Sequence, residues 1–158
     1  MALRTVRIIN DDILHKVSRP VVQVNDKTRE LLDDMLETMY HAGGVGLAAV
    51  QVGVLRRLLV IDITDEGNDP MEFINPEIVS QKGTQTGWEG CLSIPGKSGR
   101  VVRPAVTVVR ALDRHGQSFE MKCDGHLAVA LNHELDHLDG ILYTQKAIEV
   151  RRQGEEED

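Results

Sequence analysis

The residues of this sequence that are best suited to metal binding or catalysis lie near its C-terminus, in His133-Glu134-Leu135-Asp136-His137. Side chains four residues apart share one face of an α-helix, so the two imidazoles can reach the same metal ion. Glu134 lies beside the first histidine, close enough to accept a proton from a metal-bound water. A surface turn rich in histidine and acids is the alternative, but the apolar run Leu127–Leu131 indicates that this helix is buried. The pattern therefore predicts a metal site that activates water.

A catalytic metal site normally has three protein ligands and one open position, so two histidines leave it one ligand short. In one class of metalloproteases the third ligand is a histidine six residues later, where this chain has Tyr143. In another class it is a glutamate on a later helix, but Glu149 and the terminal acids leave almost no chain for such a helix. Both endoprotease interpretations therefore lack their third ligand.

A cysteine can supply the missing ligand, because a thiolate binds first-row metals strongly. Cys91 lies in Glu89-Gly90-Cys91-Leu92-Ser93, where the glycine lets the backbone approach closely. Taken alone, Cys91 would more often be a small buried hydrophobe, and this is our interpretation of Cys123 at the end of a strand pattern. A non-enzymatic protein with a structural metal is the rival hypothesis. It needs four protein ligands and would recruit Cys123 as well.

A third segment, Gly44-Val45-Gly46-Leu47-Ala48-Ala49-Val50-Gln51, combines small residues with one amide. By itself it is equally consistent with a helix-to-strand connection and a solvated glutamine. The three segments together, in this order, resemble the peptide deformylases. The resemblance covers nearly the whole chain, because the first helix, the strands and the C-terminal helix also match the layout of that family.

The resemblance implies a hydrolase that removes the formyl group from the N-terminal methionine of newly synthesised bacterial-type polypeptides and releases formate. The implied metal ligands are Cys91, His133 and His137. Glu134 is then the general base and afterwards the general acid. Gln51 and the backbone N–H of Leu92 would stabilise the developing oxyanion.

The resemblance also implies a substrate slot and a metal. A methionine side chain needs an apolar slot, and Val129 and Ala130 lie one helical turn before His133 and Glu134. For Val129, a place in the ordinary core is equally consistent. The expected substrate-binding residues are Val45, Gly46 and Val129, with Leu92 completing the wall. Ligand chemistry alone suggests zinc, whereas the resemblance implies one ferrous ion, Fe(2+), with zinc, nickel or cobalt able to occupy the site.

These segments must be positioned by an α+β fold, with mostly antiparallel strands packed around a C-terminal metal-binding helix and a further N-terminal helix. Apolar residues at helical spacing predict the first helix over residues 26–42, and the metal-binding helix is predicted over 125–139. Strands are predicted at 57–63, 71–74, 77–79, 101–102, 106–111 and 118–123, with a hairpin turn at Asp113–Gly116. Thr144–Arg151 is expected to form a short closing helix.

Composition limits the remaining possibilities. With 158 residues and 41% hydrophobic content, we expect one catalytic domain over residues 1–150 and a charged tail over 151–158. Four of the net seven negative charges belong to Glu155–Asp158, and the mildly acidic remainder has no basic stripe for nucleic acid.

Two further expectations concern location and partners. Two cysteines, no signal peptide and no membrane span indicate a cytoplasmic protein. The implied partners are N-formylmethionyl nascent peptides. Some bacterial members dock on the ribosome through a basic C-terminal helix, and Arg151-Arg152 followed by acids is a poor match, so at most a transient contact is implied. Trp88 either packs over the site entrance or fills core.

Overall fold

The computed structural model describes residues 2–153, which form two helices and six strands joined by short 3₁₀ turns. The elements are α1 (Asp26–His41), β1 (Gly46–Ala48), β2 (Leu58–Ile61), β3 (Met71–Cys91), β4 (Ile94–Leu112), β5 (Ser118–Asp124), α2 (Gly125–Leu138) and β6 (Glu149–Arg152). Every pairing between these strands is antiparallel, so the predicted α+β class is confirmed. Within this range, no helix is long and apolar enough to cross a membrane.

The strands form one sheet in the order β1-β2-β3-β4-β5, with β6 paired to β4 near its start. A helix packs on each face, as the alternation along β2 makes clear. Leu58 and Val60 pack with the apolar side chains of α1, whereas Leu59 and Ile61 pack with those of α2. Because both faces of β2 are covered, the strand is fully buried. The sheet thus holds α2, which carries both histidines of the motif, against the core.

Local sequence signals mark the start of the first helix and the end of the second. Asn25 caps its start, and the side chains of Asn25 and Thr28 bond reciprocally to each other's backbone N–H groups. The second helix is followed by Gly140 at φ +76°, where an added Cβ would lie 2.5 Å from the carbonyl oxygen of His15. Only glycine fits this stop, so the predicted helix end is confirmed.

Four of the predicted strand segments merge into two longer strands. The segments predicted at 71–74 and 77–79 belong to one strand, β3, and those predicted at 101–102 and 106–111 belong to β4. Asn75-Pro76 bends β3 without ending it: Asn75 has φ 51°, and the register with β4 shifts between Ile74 and Glu77. The hairpin turn at Asp113–Gly116 is confirmed, with the Gly116 N–H bonded to the Asp113 carbonyl.

The closing helix predicted at Thr144–Arg151 is wrong. Tyr143–Gln145 makes one 3₁₀ turn, and β6 then pairs with the Lys97–Arg100 edge of β4. An exposed strand edge offers backbone hydrogen bonds that outweigh a weak local helix preference. Residues 151 and 152 lie in this strand, across the position where the charged tail was expected to begin. Glu155–Asp158 lie outside the described residues.

Candidate metal centre

A cavity of about 340 Å³ opens between α2, the end of β3 and the segment that leads into β1. Nine residues expected to bind metal or substrate or to act in catalysis line it: Val45, Gly46, Gln51, Cys91, Leu92, Val129, Ala130, His133 and Glu134. His137 lies fully buried behind this surface, one turn further along α2. Three segments that are far apart in the sequence therefore meet at one place.

One thiol and two imidazoles lie at the base of this cavity. The ligand atoms of Cys91, His133 and His137 all lie within 4.8 Å of one another. The Cys91 Sγ is 3.3 Å from the His137 Nε2, and the two imidazole centroids are 5.0 Å apart in an edge-on arrangement. Cys123 lies elsewhere, fully buried in the core on β5, where burial raises the pKa of its thiol to about 11. Among residues 2–153, the cluster thus offers three candidate ligands and lacks the fourth that a structural site needs.

The donor set fits a metal ion. The Nδ1 of His133 is bonded to the Glu89 carboxylate at 2.9 Å, which leaves its Nε2 for the cluster. The Nδ1 of His137 is buried and has no hydrogen-bond partner among residues 2–153. Soft sulfur with two imidazole nitrogens is a ligand set that suits zinc, iron, cobalt or nickel. The three side chains are therefore already gathered for a first-row divalent ion.

Electrostatics at this cluster favour one positive charge. Burial lowers the pKa of His133, but the charge of Glu134 and hydrogen bonds with Cys91 and Glu89 outweigh burial and raise it to about 10. The pKa of His137 is held well below its ordinary value by burial and by the charge on His133. The pair therefore carries one positive charge, on His133. A bound divalent ion would displace the additional proton of His133, because histidine ligates as the neutral imidazole.

A buried ionic network behind His133 was not foreseen from the sequence. Arg103 donates from Nε and Nη2 to the two oxygens of Glu89, each at 2.8 Å, and from Nη1 to Asp136 at 2.7 Å. Burial raises the pKa of Glu89, but Arg103 and His133 outweigh it and lower it to about 2. Lys146 also donates to Asp136, at 3.0 Å. The network holds Glu89 ionised, and Glu89 orients the His133 ring.

One sequence signal could have identified part of this network. A metal-bound histidine usually donates its second nitrogen to a carboxylate, and Glu89 is the acid in the cysteine motif. Arg103 gave no such signal, because its approach to Glu89 depends on the register and bulges between β3 and β4.

Glu134 lies in the cavity wall beside the candidate ligands. Its Oε1 is buried and has no hydrogen-bond partner among the described side chains and backbone groups. Burial raises the pKa of Glu134 to about 7, although the charge on His133 lowers it. Its Oε2 would lie 2.6 Å from a Cβ added to Gly46, so glycine is needed at that position for the carboxylate to fit. A carboxyl group with a pKa near neutrality can both accept and donate a proton.

Gln51 and Leu92 flank the cysteine. Gln51 accepts the Ala48 N–H at 2.9 Å and donates from Nε2 to the Ser93 hydroxyl at 3.0 Å, with the Cys91 Sγ 3.6 Å away. The amide group is therefore fixed with its donor beside the thiol. Leu92 packs against Gly44, where an added Cβ would lie 2.7 Å from the leucine Cδ1.

Comparisons with known proteins agree on one family. The sequence model of the family described as polypeptide deformylase matches residues 3–153. The chain is 59% identical over 146 residues to a peptide deformylase of Lachnoclostridium phytofermentans, which covers 92% of this chain and 90% of the relative. It is 57% identical over 148 residues to one from Acetivibrio thermocellus, covering 94% and 85% of the two chains.

Solved structures show the same architecture. A peptide deformylase from Legionella pneumophila superposes with a TM-score of 0.89 at 44% identity, covering 92% of this chain and 86% of the other. One from Ehrlichia chaffeensis in complex with actinonin gives 0.89 at 38% identity, covering 92% and 89%. The chain belongs to the polypeptide deformylase family and is a metal-dependent hydrolase that removes the N-formyl group from nascent peptides.

Proposed function

We propose that Cys91, His133 and His137 hold one ferrous ion per chain and that Glu134 moves the protons of the hydrolysis. The observation that carries this proposal is the meeting of one thiol, two imidazoles and a buried, unpartnered carboxylate in a single cavity. Iron follows from the family resemblance, whereas the ligand set by itself equally accommodates zinc, nickel or cobalt. When bound, the ion acidifies a water molecule and polarises the formyl carbonyl.

Glu134 carries out the proton transfers in this proposal. Its carboxylate takes one proton as water adds to the formyl carbon, and it delivers that proton to the methionine nitrogen as the C–N bond breaks. The products are formic acid and the amine, which separate as formate and the protonated amine, so the Glu134 carboxylate returns to its starting state. The buried position and raised pKa of Glu134 support this exchange, because the best general acid–base groups have a pKa near the working pH.

Two donors stabilise the oxygen that becomes negative as the formyl carbon turns tetrahedral. They are the Nε2 of Gln51 and the backbone N–H of Leu92. Gln51 is buried and held at both ends of its amide by Ala48 and Ser93, which fixes its Nε2 beside Cys91. A preorganised donor of this kind contributes about 3 kcal/mol.

The substrate methionine occupies the apolar part of the cavity, against Val45, Gly46 and Val129. Partly buried Val129 and exposed Val45 face the same space, which supports this assignment.

The main chain of the substrate peptide has protein hydrogen-bonding groups available on both sides. β1 has only β2 as a neighbour, and Trp88–Cys91 of β3 pair only with β4 within the described sheet. Two unpaired strand edges thus flank the bound peptide.

Substrate specificity tests the proposed site. Purified enzyme should release formate from formyl-Met-Ala-Ser with a far higher kcat/KM than it releases acetate from acetyl-Met-Ala-Ser, because the extra methyl crowds a site built around a formyl hydrogen. Metal analysis after anaerobic purification should find close to one iron per chain. Equal kcat/KM values for the two peptides, or cleavage at an internal peptide bond, would contradict the assigned substrate.

We also propose that the enzyme works in the cytoplasm, on chains emerging from the ribosome. Both cysteines are free thiols, which supports a reducing compartment. Residues 149–152, near the end of the described chain, form a strand and supply no basic helix for a ribosome contact. Co-sedimentation of the enzyme with ribosomes carrying a formylated nascent chain tests this; no enrichment over free enzyme would argue against it.

A further inference from the structure

Tyr143 is buried and packs against the imidazole of His133. The two ring centroids are 5.9 Å apart and the ring planes differ by 26°, so the rings are stacked. Aromatic pairs attract each other at centroid separations of about 4.5–7 Å. The phenol is 1% exposed and does not line the cavity. Tyr143 therefore contacts a candidate ligand from within the protein rather than from the substrate side.

The His133 ring has two other neighbours in the site. Its Nδ1 is bonded to the Glu89 carboxylate at 2.9 Å, and the His137 ring meets it edge-on with 5.0 Å between centroids. A hydrogen bond at one ring atom still allows the imidazole to tilt about that atom. A stacked face restricts the tilt, because the imidazole cannot swing into the space that the phenol occupies. The stacking thus restrains the direction in which the His133 Nε2 points.

The phenol is itself held by backbone groups. A Cβ added to Gly99 of β4 would lie 2.7 Å from the Tyr143 Cε2 and 3.0 Å from its Cδ2, so the ring packs directly on this glycine. The Tyr143 carbonyl accepts the N–H groups of Lys146 and Ala147, at 3.0 and 2.9 Å, which anchors the 3₁₀ turn that carries the ring. The position of the phenol therefore depends on backbone rather than on flexible side chains.

The same tyrosine lies in a small apolar cluster that also touches Cys91. The buried members of this cluster are Leu14, Ile94, Val101, Leu142 and Tyr143. Partly buried Cys91 packs against them. One cluster thus contacts Cys91 and, through the phenol, His133. Tyr143 occupies the position six residues after His137 where one protease class has its third ligand, and here that side chain supports a ligand instead.

We propose that Tyr143 is a positioning residue of the metal centre, whose ring holds the His133 imidazole in the orientation that binds the ion. This inference rests on the proposed function, since it assumes that His133 is a metal ligand. The stacking energy of an aromatic pair corresponds to about a two- to tenfold change in an equilibrium constant. A ring that spends less time in the binding orientation lowers the apparent metal affinity by the same factor.

Two substitutions separate the ring of Tyr143 from its hydroxyl. Tyr143→Leu removes the aromatic face and should raise the dissociation constant for Co²⁺ about two- to tenfold, measured on the folded protein by competition with a chelator. The visible absorption bands of the cobalt-loaded variant should also shift, because they report the geometry of the ligands. Tyr143→Phe keeps the ring and removes a hydroxyl that has no hydrogen-bond partner among residues 2–153, so it should bind Co²⁺ as tightly as the wild type.

Phe73→Leu is the matched control. Phe73 is also fully buried and pairs with an aromatic ring, that of Phe119 at 5.8 Å, but it does not line the metal cavity. It should lose stability in urea unfolding, as Tyr143→Leu does, and keep its cobalt affinity and spectrum. Should Tyr143→Leu fold poorly, Gly99→Ala decides, because the added Cβ displaces the same ring and should weaken Co²⁺ binding in its place.

The cobalt affinities distinguish the possible outcomes. Wild-type affinity in Tyr143→Leu, or in Gly99→Ala where that variant decides, would overturn the positioning role. An equal loss of affinity in Phe73→Leu would overturn it too, because the effect would then follow from lost stability. An equal loss in Tyr143→Phe would assign the effect to the hydroxyl and also overturn the role of the ring. Failure of the wild type to bind one Co²⁺ per chain would instead refute the proposed metal site.

Discussion

Replacing Arg103 by methionine tests whether the buried ionic network holds the metal centre. Its side chain is 3% exposed and makes three hydrogen bonds, two to Glu89 and one to Asp136. Removing one partner of a buried ion pair leaves the other charge uncompensated and costs about 3–5 kcal/mol of unfolding free energy. A misplaced carboxylate behind a ligating histidine also weakens metal binding about 10- to 100-fold. Both losses are expected in Arg103→Met.

Arg114→Met provides a matched control on the same protein. Arg114 also makes two bonds to one carboxylate, Glu72, and one to a second, Asp33, but its side chain is 30% exposed. Exposed pairs contribute only about 0.2–1 kcal/mol each, so this variant should lose about 1–2 kcal/mol and keep its metal affinity. Urea unfolding of the metal-free proteins measures stability, and competition with a chelator measures metal affinity. Similar losses of stability in the two variants, or unchanged metal affinity in Arg103→Met, would refute the reasoning.

Three further predictions concern the site and the pH dependence. Glu134→Ala should keep its metal but lose about 100- to 10,000-fold in kcat, measured by formate release, and a metal-free variant would contradict its role as a proton carrier. Cys91→Ala should lose metal and activity whereas Cys123→Ala keeps both; metal analysis giving the reverse would disprove the ligand assignment. Burial raises the pKa of Asp62, but hydrogen bonds from Thr64 and from the Tyr40 hydroxyl, the latter at 2.7 Å, hold that pKa below its ordinary value. The ionised Asp62 therefore stabilises the fold above about pH 4, and this contribution is lost as the pH falls further. In Tyr40→Phe the unfolding free energy, measured by urea unfolding, should fall less over the same acidic pH range.

Much of the site follows from local sequence patterns, because local geometry repeats along a chain. His133 and His137 share a face of α2 wherever that helix lies, and the adjacent residue is the acid. The apolar spacing over 26–42, the turn at Asp113–Gly116 and the glycine after α2 are also local signals, and each element forms at the expected place. Cys91 was assigned from its motif and its resemblance to a family, since no local rule links it to residues more than forty positions away.

Tertiary structure alone decided which distant residues support that site. Arg103 meets Glu89 only because β3 and β4 pair in one register, with bulges such as that between Glu89 and Cys91. Glu149–Arg152 became a strand because the edge of β4 offered unpaired backbone groups, and this brought Gln153 to the cavity mouth. Helical periodicity is determined by residues that are close together in the sequence. Strand register and edge pairing depend on groups that are remote in the sequence, so no local pattern in the chain specifies them.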